Sequence, residues 1–223
     1  LNRMNGQLWQ KIVALIAHKM PIHQLFPEPL YFSKFKRSIT KEELKAINKL
    51  RNKTHLNTGQ QTSNENYVLD QKPFKNLKKD FIEIINYYFD EVICTTPSLI
   101  PFITQSWVNF TKNDEFMHRH SHPNSYVSGV FYVAATKEVD KIKFWKSGFE
   151  RLVPDVTNYN IFNSRSWWYP VETGDILLFP SSLDHEVKNK KGNNDRISLA
   201  FNIFFKGPLG DKSDQYDLTE LII

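Results

Sequence analysis

Three histidines fall at alternate positions, His118, His120 and His122, within Phe116-Met117-His118-Arg119-His120-Ser121-His122-Pro123-Asn124. A fourth, His185, lies in Ser182-Leu183-Asp184-His185-Glu186. In an extended chain alternate side chains share a face, so the first three imidazoles point the same way and adjacent members can chelate one ion. Three like imidazoles in a row gain little from packing without a metal, and they repel one another once protonated. The bland alternative is a polar surface strand that happens to carry histidines. Downstream, Gly174-Asp175-Ile176-Leu177-Leu178-Phe179-Pro180 is a turn entering an apolar strand, His185 follows its end, and Arg196-Ile197-Ser198-Leu199-Ala200-Phe201-Asn202 opens another strand. Alternation there places Arg196, Ser198, Ala200 and Asn202 on one face and Ile197, Leu199 and Phe201 on the other. An arginine facing a barrel interior is costly unless an anion pairs with it, and a hydroxyl two residues on is a matching donor for a carboxylate. The alternative is an Arg196 that faces solvent.

The elements that must position these residues divide near residue 100. Before it the pattern is helical. Thr40-Lys41-Glu42-Glu43 reads as a capping box followed by Leu44, Ile47 and Leu50 at helical spacing. After Pro73, the residues Phe74, Leu77, Phe81, Ile84, Ile85, Tyr88 and Val92 predict an amphipathic helix that ends before Pro97 and packs on a sheet. The stretch Thr54 to Asn66, rich in Asn, Gln, Thr and Ser, is expected to be a loop. Beyond residue 100 the period becomes two, with strands expected over Ser106 to Phe110, Val127 to Ala134, Lys141 to Trp145, Trp167 to Val171, Asp175 to Phe179 and Arg196 to Phe205. Six or more short strands behind a helical prefix predict a mainly β (α+β) fold, a two-sheet sandwich or jelly roll backed by helices.

Composition bounds the rest. The 223 residues suit one domain with one sizeable core. The longest apolar run near the start, Ile12 to Ala17, is far shorter than the roughly 20 residues of a membrane span, so no membrane partner is expected. No signal-peptide pattern precedes it, and Cys94 is the only cysteine, both of which point to the cytoplasm. The net charge of +5 is scattered, as in Lys75-Asn76-Leu77-Lys78-Lys79-Asp80, so a nucleic-acid partner is not expected.

Taken jointly, the motifs resemble the 2-oxoglutarate and Fe(II)-dependent oxygenase superfamily, and within it small prolyl-hydroxylase-like proteins of bacteria and of tailed phages of marine bacteria. The carrying segments are His120-Ser121-His122-Pro123-Asn124-Ser125-Tyr126-Val127-Ser128-Gly129-Val130-Phe131-Tyr132 and Gly174-Asp175, Phe179-Pro180-Ser181, His185, Arg196-Ile197-Ser198 and Phe201-Asn202. They span roughly residues 103 to 205, with weaker likeness in the prefix at Gln24-Leu25-Phe26-Pro27 and Thr40-Lys41-Glu42-Glu43. The resemblance implies a double-stranded β-helix, a cupin-like jelly roll over 101–206 with the helical support 1–100 on one sheet and a tail 207–223, all one domain. It implies Fe(II), 2-oxoglutarate and O2, with His120 as first ligand, His185 as last, and His122 where a carboxylate usually stands. Three neutral imidazoles would leave the site one charge more positive, which favours anionic 2-oxoglutarate. Two other ligand sets stay open: His118 with His120, or a carboxylate from Asp184. Pro123, which ends the strand, favours His120 and His122 at the barrel mouth.

By the same resemblance Arg196 would pair with the distal carboxylate of 2-oxoglutarate, supported by Ser198 and Tyr132, with Asn109 and Asn202 lining the pocket. The implied activity is hydroxylation of a small molecule or peptide, such as a prolyl residue, coupled to decarboxylation of 2-oxoglutarate to succinate and CO2; a phage-encoded enzyme would act in the host cytoplasm. Competing readings are a three-histidine cupin-type dioxygenase without 2-oxoglutarate and a non-catalytic jelly-roll module. Substrate choice is expected to reside in the Thr54 to Asn66 loop and the Gly148 to Ser166 segment.

Overall fold

The computed structural model describes residues 23–148, 152 and 154–210. The apolar run Ile12 to Ala17, most of the tail 207–223 and part of the Gly148 to Ser166 segment lie outside these residues. Among the described residues, two α-helices precede the main body of strands. In α1 (Lys41–Leu50) the Thr40 hydroxyl accepts from the Glu43 amide at 3.1 Å while the Glu43 carboxylate accepts from the Thr40 amide at 2.7 Å, the capping box that the sequence predicts. Arg37 then clamps the helices together, donating to both Glu43 oxygens and, at 2.7 Å, to Asp80. Helix α2 (Lys75–Tyr88) buries Leu77, Phe81, Ile85 and Tyr88, continues as a π turn over Phe89–Ile93, and stops where Cys94 takes a left-handed φ of 56°. No described helix is long and apolar enough to cross a membrane.

The strands form two antiparallel sheets. In chain order they are β1 (Tyr31–Lys34), β2 (Thr54–Asn57), β3 (Gln60–Ser63), β4 (Ile100–Thr111), β5 (Met117–His120), β6 (Val127–Ala134), β7 (Lys141–Trp145), β8 (Ser166–Pro170), β9 (Asp175–Pro180), β10 (His185–Val187) and β11 (Arg196–Lys206). The larger sheet runs β1-β9-β6-β11-β4-β3-β2 and the smaller β5-β10-β7-β8. The strands expected after residue 100 are all present; three have ends shifted by one residue, and the first begins six residues earlier, at Ile100.

The two faces of β11 divide the molecule's interior. Ile197, Leu199, Phe201 and Ile203 join α2 in one core, where the Phe81 ring stacks on Phe201 at 5.0 Å and meets Phe131 at 5.4 Å. Burying an aromatic of this size stabilises the fold by about 2 kcal/mol. Here β6 needs a glycine, because a Cβ on Gly129 would lie 2.2 Å from the Phe201 ring. A second cluster, with Val130, Leu177 and Phe179 from the larger sheet and Ile142 and Phe144 from β7, fills the space between the sheets. The opposite face of β11 looks into that space, and register sets polar residues there in rows: Tyr132, Ser198 and Asn109 on β6, β11 and β4, then Ser128, Asn202 and Gln105.

The Thr54 to Asn66 stretch is not a loop. It forms the β2–β3 hairpin, and three of its polar residues are buried against β4. Thr62 donates to Asn109 Oδ1 at 2.9 Å, Gln60 accepts from Thr111 at 2.7 Å, and Ser63 accepts from the Val108 amide at 3.0 Å. Hydroxyl and amide side chains replace the apolar residues that usually betray a strand. With β1 also pairing to β9, the described part of the prefix supplies three strands as well as helices.

Candidate active site

His120 ends β5 and His185 opens β10, and the two are register partners. Two residues past β5, His122 is turned back into the interior, its amide donating to Ser181 O at 2.9 Å. The ring centroids of His120 and His185 lie 4.4 Å apart, those of His120 and His122 5.2 Å, and those of His122 and His185 5.0 Å. One nitrogen from each lies within 4.8 Å of the other two.

Hydrogen bonds fix which nitrogens face inward. His120 Nδ1 donates to His118 O at 2.7 Å and His185 Nδ1 to Leu183 O at 3.1 Å, since a carbonyl can only accept. His122 Nδ1 faces Asn202 Oδ1 at 2.7 Å and Ser128 Oγ at 2.9 Å. Ser128 in turn contacts Ser181 at 2.8 Å, and Ser181 donates to Ser125, which donates to Val127 O. Running that chain of donors back to its carbonyl end leaves the Ser128 oxygen as an acceptor from His122 Nδ1–H. All three Nε2 atoms therefore keep their lone pairs, and two of them, on His120 and His122, are only 3.3 Å apart. Two such nitrogens repel, and a cation between them relieves the repulsion; about 3 Å is the separation expected for nitrogens bound at right angles to one ion at ~2.1 Å. The donor set suits a late first-row metal.

Electrostatics keep the imidazoles in the ligating form. Burial, with smaller contributions from the neighbouring rings, lowers His185 to about 3. Burial and then the His120 ring push His122 down to about 4, opposed by the hydrogen bond to Asn202. His120 is lowered as well, by burial. The two other ligand sets fare differently. The His118 ring is exposed and outside the cluster, contributing its carbonyl, and Asp184 is ion-paired to Arg119 at 2.7 Å.

A cavity of about 820 Å³ opens beside the histidines and runs to Arg196, lined by Trp107, Asn109, Tyr132, Ser198 and Asn202. Arg196 is 3% exposed and donates from Nη2 to Thr111 Oγ1 at 3.1 Å. Its remaining donors make no hydrogen bond among the described residues. The hydroxyls of Tyr132, pushed up by burial, and Ser198 are also unpaired there, although both residues are more than nine-tenths buried. Burial lowers Arg196 too, as expected of a cation held away from water. Asn109 is committed to Thr62, and Asn202 to His122. Sequence reasoning assigned no role to Ser125, Ser128 and Ser181. Their signal was present, since Ser128 interrupts an apolar strand and Ser181 follows one.

Residues 105–202 match the family described as "Putative 2OG-Fe(II) oxygenase", a span that holds the three histidines, Arg196, Ser198 and Tyr132. No curated protein sequence matches the chain. Among solved structures, a prolyl hydroxylase from Trichoplax adhaerens in complex with a hypoxia inducible factor peptide fragment aligns at TM-score 0.56 and 12% identity, over 91% of this chain and 94% of that one. HygX from Streptomyces hygroscopicus with nickel, 2-oxoglutarate and hygromycin B bound aligns at TM-score 0.53 and 14% identity, covering 79% and 82%. A Pseudomonas putida prolyl-4-hydroxylase aligns at 0.52 and 13%, covering 79% and 93%. The fold is thus the double-stranded β-helix of these enzymes. The family match spans 98 of the 223 residues, a little under half of the chain.

Proposed function

We propose that this chain is a 2-oxoglutarate- and Fe(II)-dependent dioxygenase that hydroxylates a small molecule or a peptide. His120, His122 and His185 hold the iron through Nε2. Arg196 grips the distal carboxylate of 2-oxoglutarate with its free donors, assisted by the Ser198 and Tyr132 hydroxyls. Bound there, iron and 2-oxoglutarate supply an oxidant from O2, with succinate and CO2 as coproducts and one oxygen atom passing to a C–H bond of the substrate. The observation that carries this reading is a buried arginine whose unpaired donors open into the same cavity as three converging imidazole nitrogens. The one buried carboxylate near it, Asp140 at 4.0 Å, is shared with Lys190, so the cation is under-compensated and an incoming anion gives the fold a reason to keep it. A three-histidine oxygenase that needs no 2-oxoglutarate uses the same metal ligands but leaves the cavity-facing donors of Arg196 and the hydroxyls of Ser198 and Tyr132 without a role.

The protein's own task is to orient the ligands and exclude water. Carbonyls, Asn202 and the serine chain fix the rings, and the inter-sheet cluster packs beneath them. The Trichoplax prolyl hydroxylase structure holds a peptide fragment and the HygX structure hygromycin B, which supports keeping both a peptide and a small molecule as substrate classes. We place the whole chain in one oxygenase unit and, from its lone cysteine, in the cytoplasm. Succinate release from 2-oxoglutarate in the presence of Fe(II) and O2, lost in His185→Ala, tests the activity; release that persists in that variant would refute the metal assignment.

A further inference from the structure

Arg196 belongs to a buried group of three charges. Behind it lies Asp140, whose side chain is fully buried. Asp140 Oδ2 accepts from the Thr136 amide at 2.8 Å, but Oδ1 has no hydrogen-bond partner and stands 4.0 Å from both Arg196 Nη1 and Lys190 Nζ. Lys190 is equally buried, and its ammonium donates to Lys191 O at 3.1 Å, Gly192 O at 3.4 Å and Asn194 Oδ1 at 3.1 Å. Neither Asp140 nor Lys190 lines the cavity, so neither meets a ligand directly. Two positive charges face one negative charge where water is excluded. Such a group is balanced when one more negative charge arrives.

We propose that Asp140 and Lys190 are positioning residues that act through Arg196 and set how tightly the pocket holds a single terminal carboxylate. Asp140 weakens the grip, and Lys190 strengthens it. With both in place the pocket is left with one unbalanced positive charge, which matches the distal carboxylate of 2-oxoglutarate and still lets the product succinate leave. This rests on the reading of Arg196 as the carboxylate anchor.

The two residues have opposite charges, so the proposal predicts opposite effects. Calorimetric titration of nickel-loaded protein with 2-oxoglutarate reads binding without turnover. Asp140→Asn should bind about tenfold tighter or more, and Lys190→Gln should bind more weakly, as expected for removing one buried charge behind Arg196 at an effective dielectric of about 20. Under turnover, Asp140→Asn should lower KM and kcat together, because succinate leaves more slowly. A merely structural role would weaken binding in both variants, and that result, or no change in either, overturns the proposal. Should Asp140→Asn fail to fold, Lys190→Gln decides: unchanged or tighter binding refutes it. Wild-type protein that binds nickel but no 2-oxoglutarate would overturn the proposed function itself, an outcome separate from equal affinities in wild type and variants.

Discussion

Replacing Arg196 by methionine keeps the volume of the side chain's stem and removes its charge and its fork of donors. In the proposed complex that fork makes two charge-assisted hydrogen bonds to the distal carboxylate, each worth about 1.5–3 kcal/mol. Their loss should weaken 2-oxoglutarate binding by about a hundredfold or more. The empty protein should behave otherwise. Arg196 is 3% exposed, with one hydrogen bond to Thr111 and an Asp140 oxygen at 4.0 Å, so its charge is under-compensated. In the variant Asp140 and Lys190 face each other one to one. Giving up the bond to Thr111 costs about 1 kcal/mol, while relief of the buried charge offsets at least that much. Stability should therefore stay within about 2 kcal/mol of wild type, on the stabilising side. Calorimetry with 2-oxoglutarate on nickel-loaded protein and urea unfolding of metal-free protein measure the two quantities. A variant that binds 2-oxoglutarate within threefold of wild type would refute the carboxylate role. One that unfolds several kcal/mol more easily would show that Arg196 is structural.

Other consequences follow from the same geometry. Asn202→Leu removes an acceptor from His122 Nδ1 and should weaken iron binding about 10- to 100-fold, with Ser128→Ala weaker in effect because Asn202 remains; competition with a chelator reads both. In metal-free protein His185 is lowered to about 3 by burial, so on acidification the unfolded chain takes up its proton first. Stability should be full above about pH 6.5 and fall as the pH drops toward 3, by about 2 kcal/mol for this residue at pH 5, seen in urea midpoints at pH 7.5 and 5. A flat profile between those values would contradict a neutral buried imidazole. Gly129→Ala should destabilise by about 3 kcal/mol or fail to fold, since its methyl would meet the Phe201 ring at 2.2 Å; thermal unfolding checks this.

The residues with chemistry were the most legible part of the sequence. His120, His122, His185, Arg196 and Ser198 stand out because polar residues at period two in otherwise apolar strands need a reason, and the structure brings them to one cavity. Helix α1 was legible from its capping box, and α2 from apolar spacing. The β2–β3 hairpin was not, because Gln60, Thr62 and Ser63 bury hydroxyls and amides against polar partners on β4, which no hydropathy pattern reveals. Which histidines cluster needed coordinates too: alternation puts His118, His120 and His122 on one face, and only the turn at His122 and the salt bridge of Asp184 leave His120, His122 and His185 as the group that converges. Asp140 and Lys190 were invisible for a simpler reason. They lie 56 and 6 residues from Arg196 in ordinary charged stretches, and long-range packing alone makes them a buried group with it.

The central claim is that three imidazoles and a buried arginine hold iron and 2-oxoglutarate together. An anaerobic titration of metal-free protein with Fe(II) and then 2-oxoglutarate tests it, read as the visible charge-transfer band of a chelated 2-oxo acid. The account predicts a band in the wild type, none in His185→Ala, and one that needs far more 2-oxoglutarate in Arg196→Ala. Stoichiometric iron binding with no band on adding 2-oxoglutarate would contradict it.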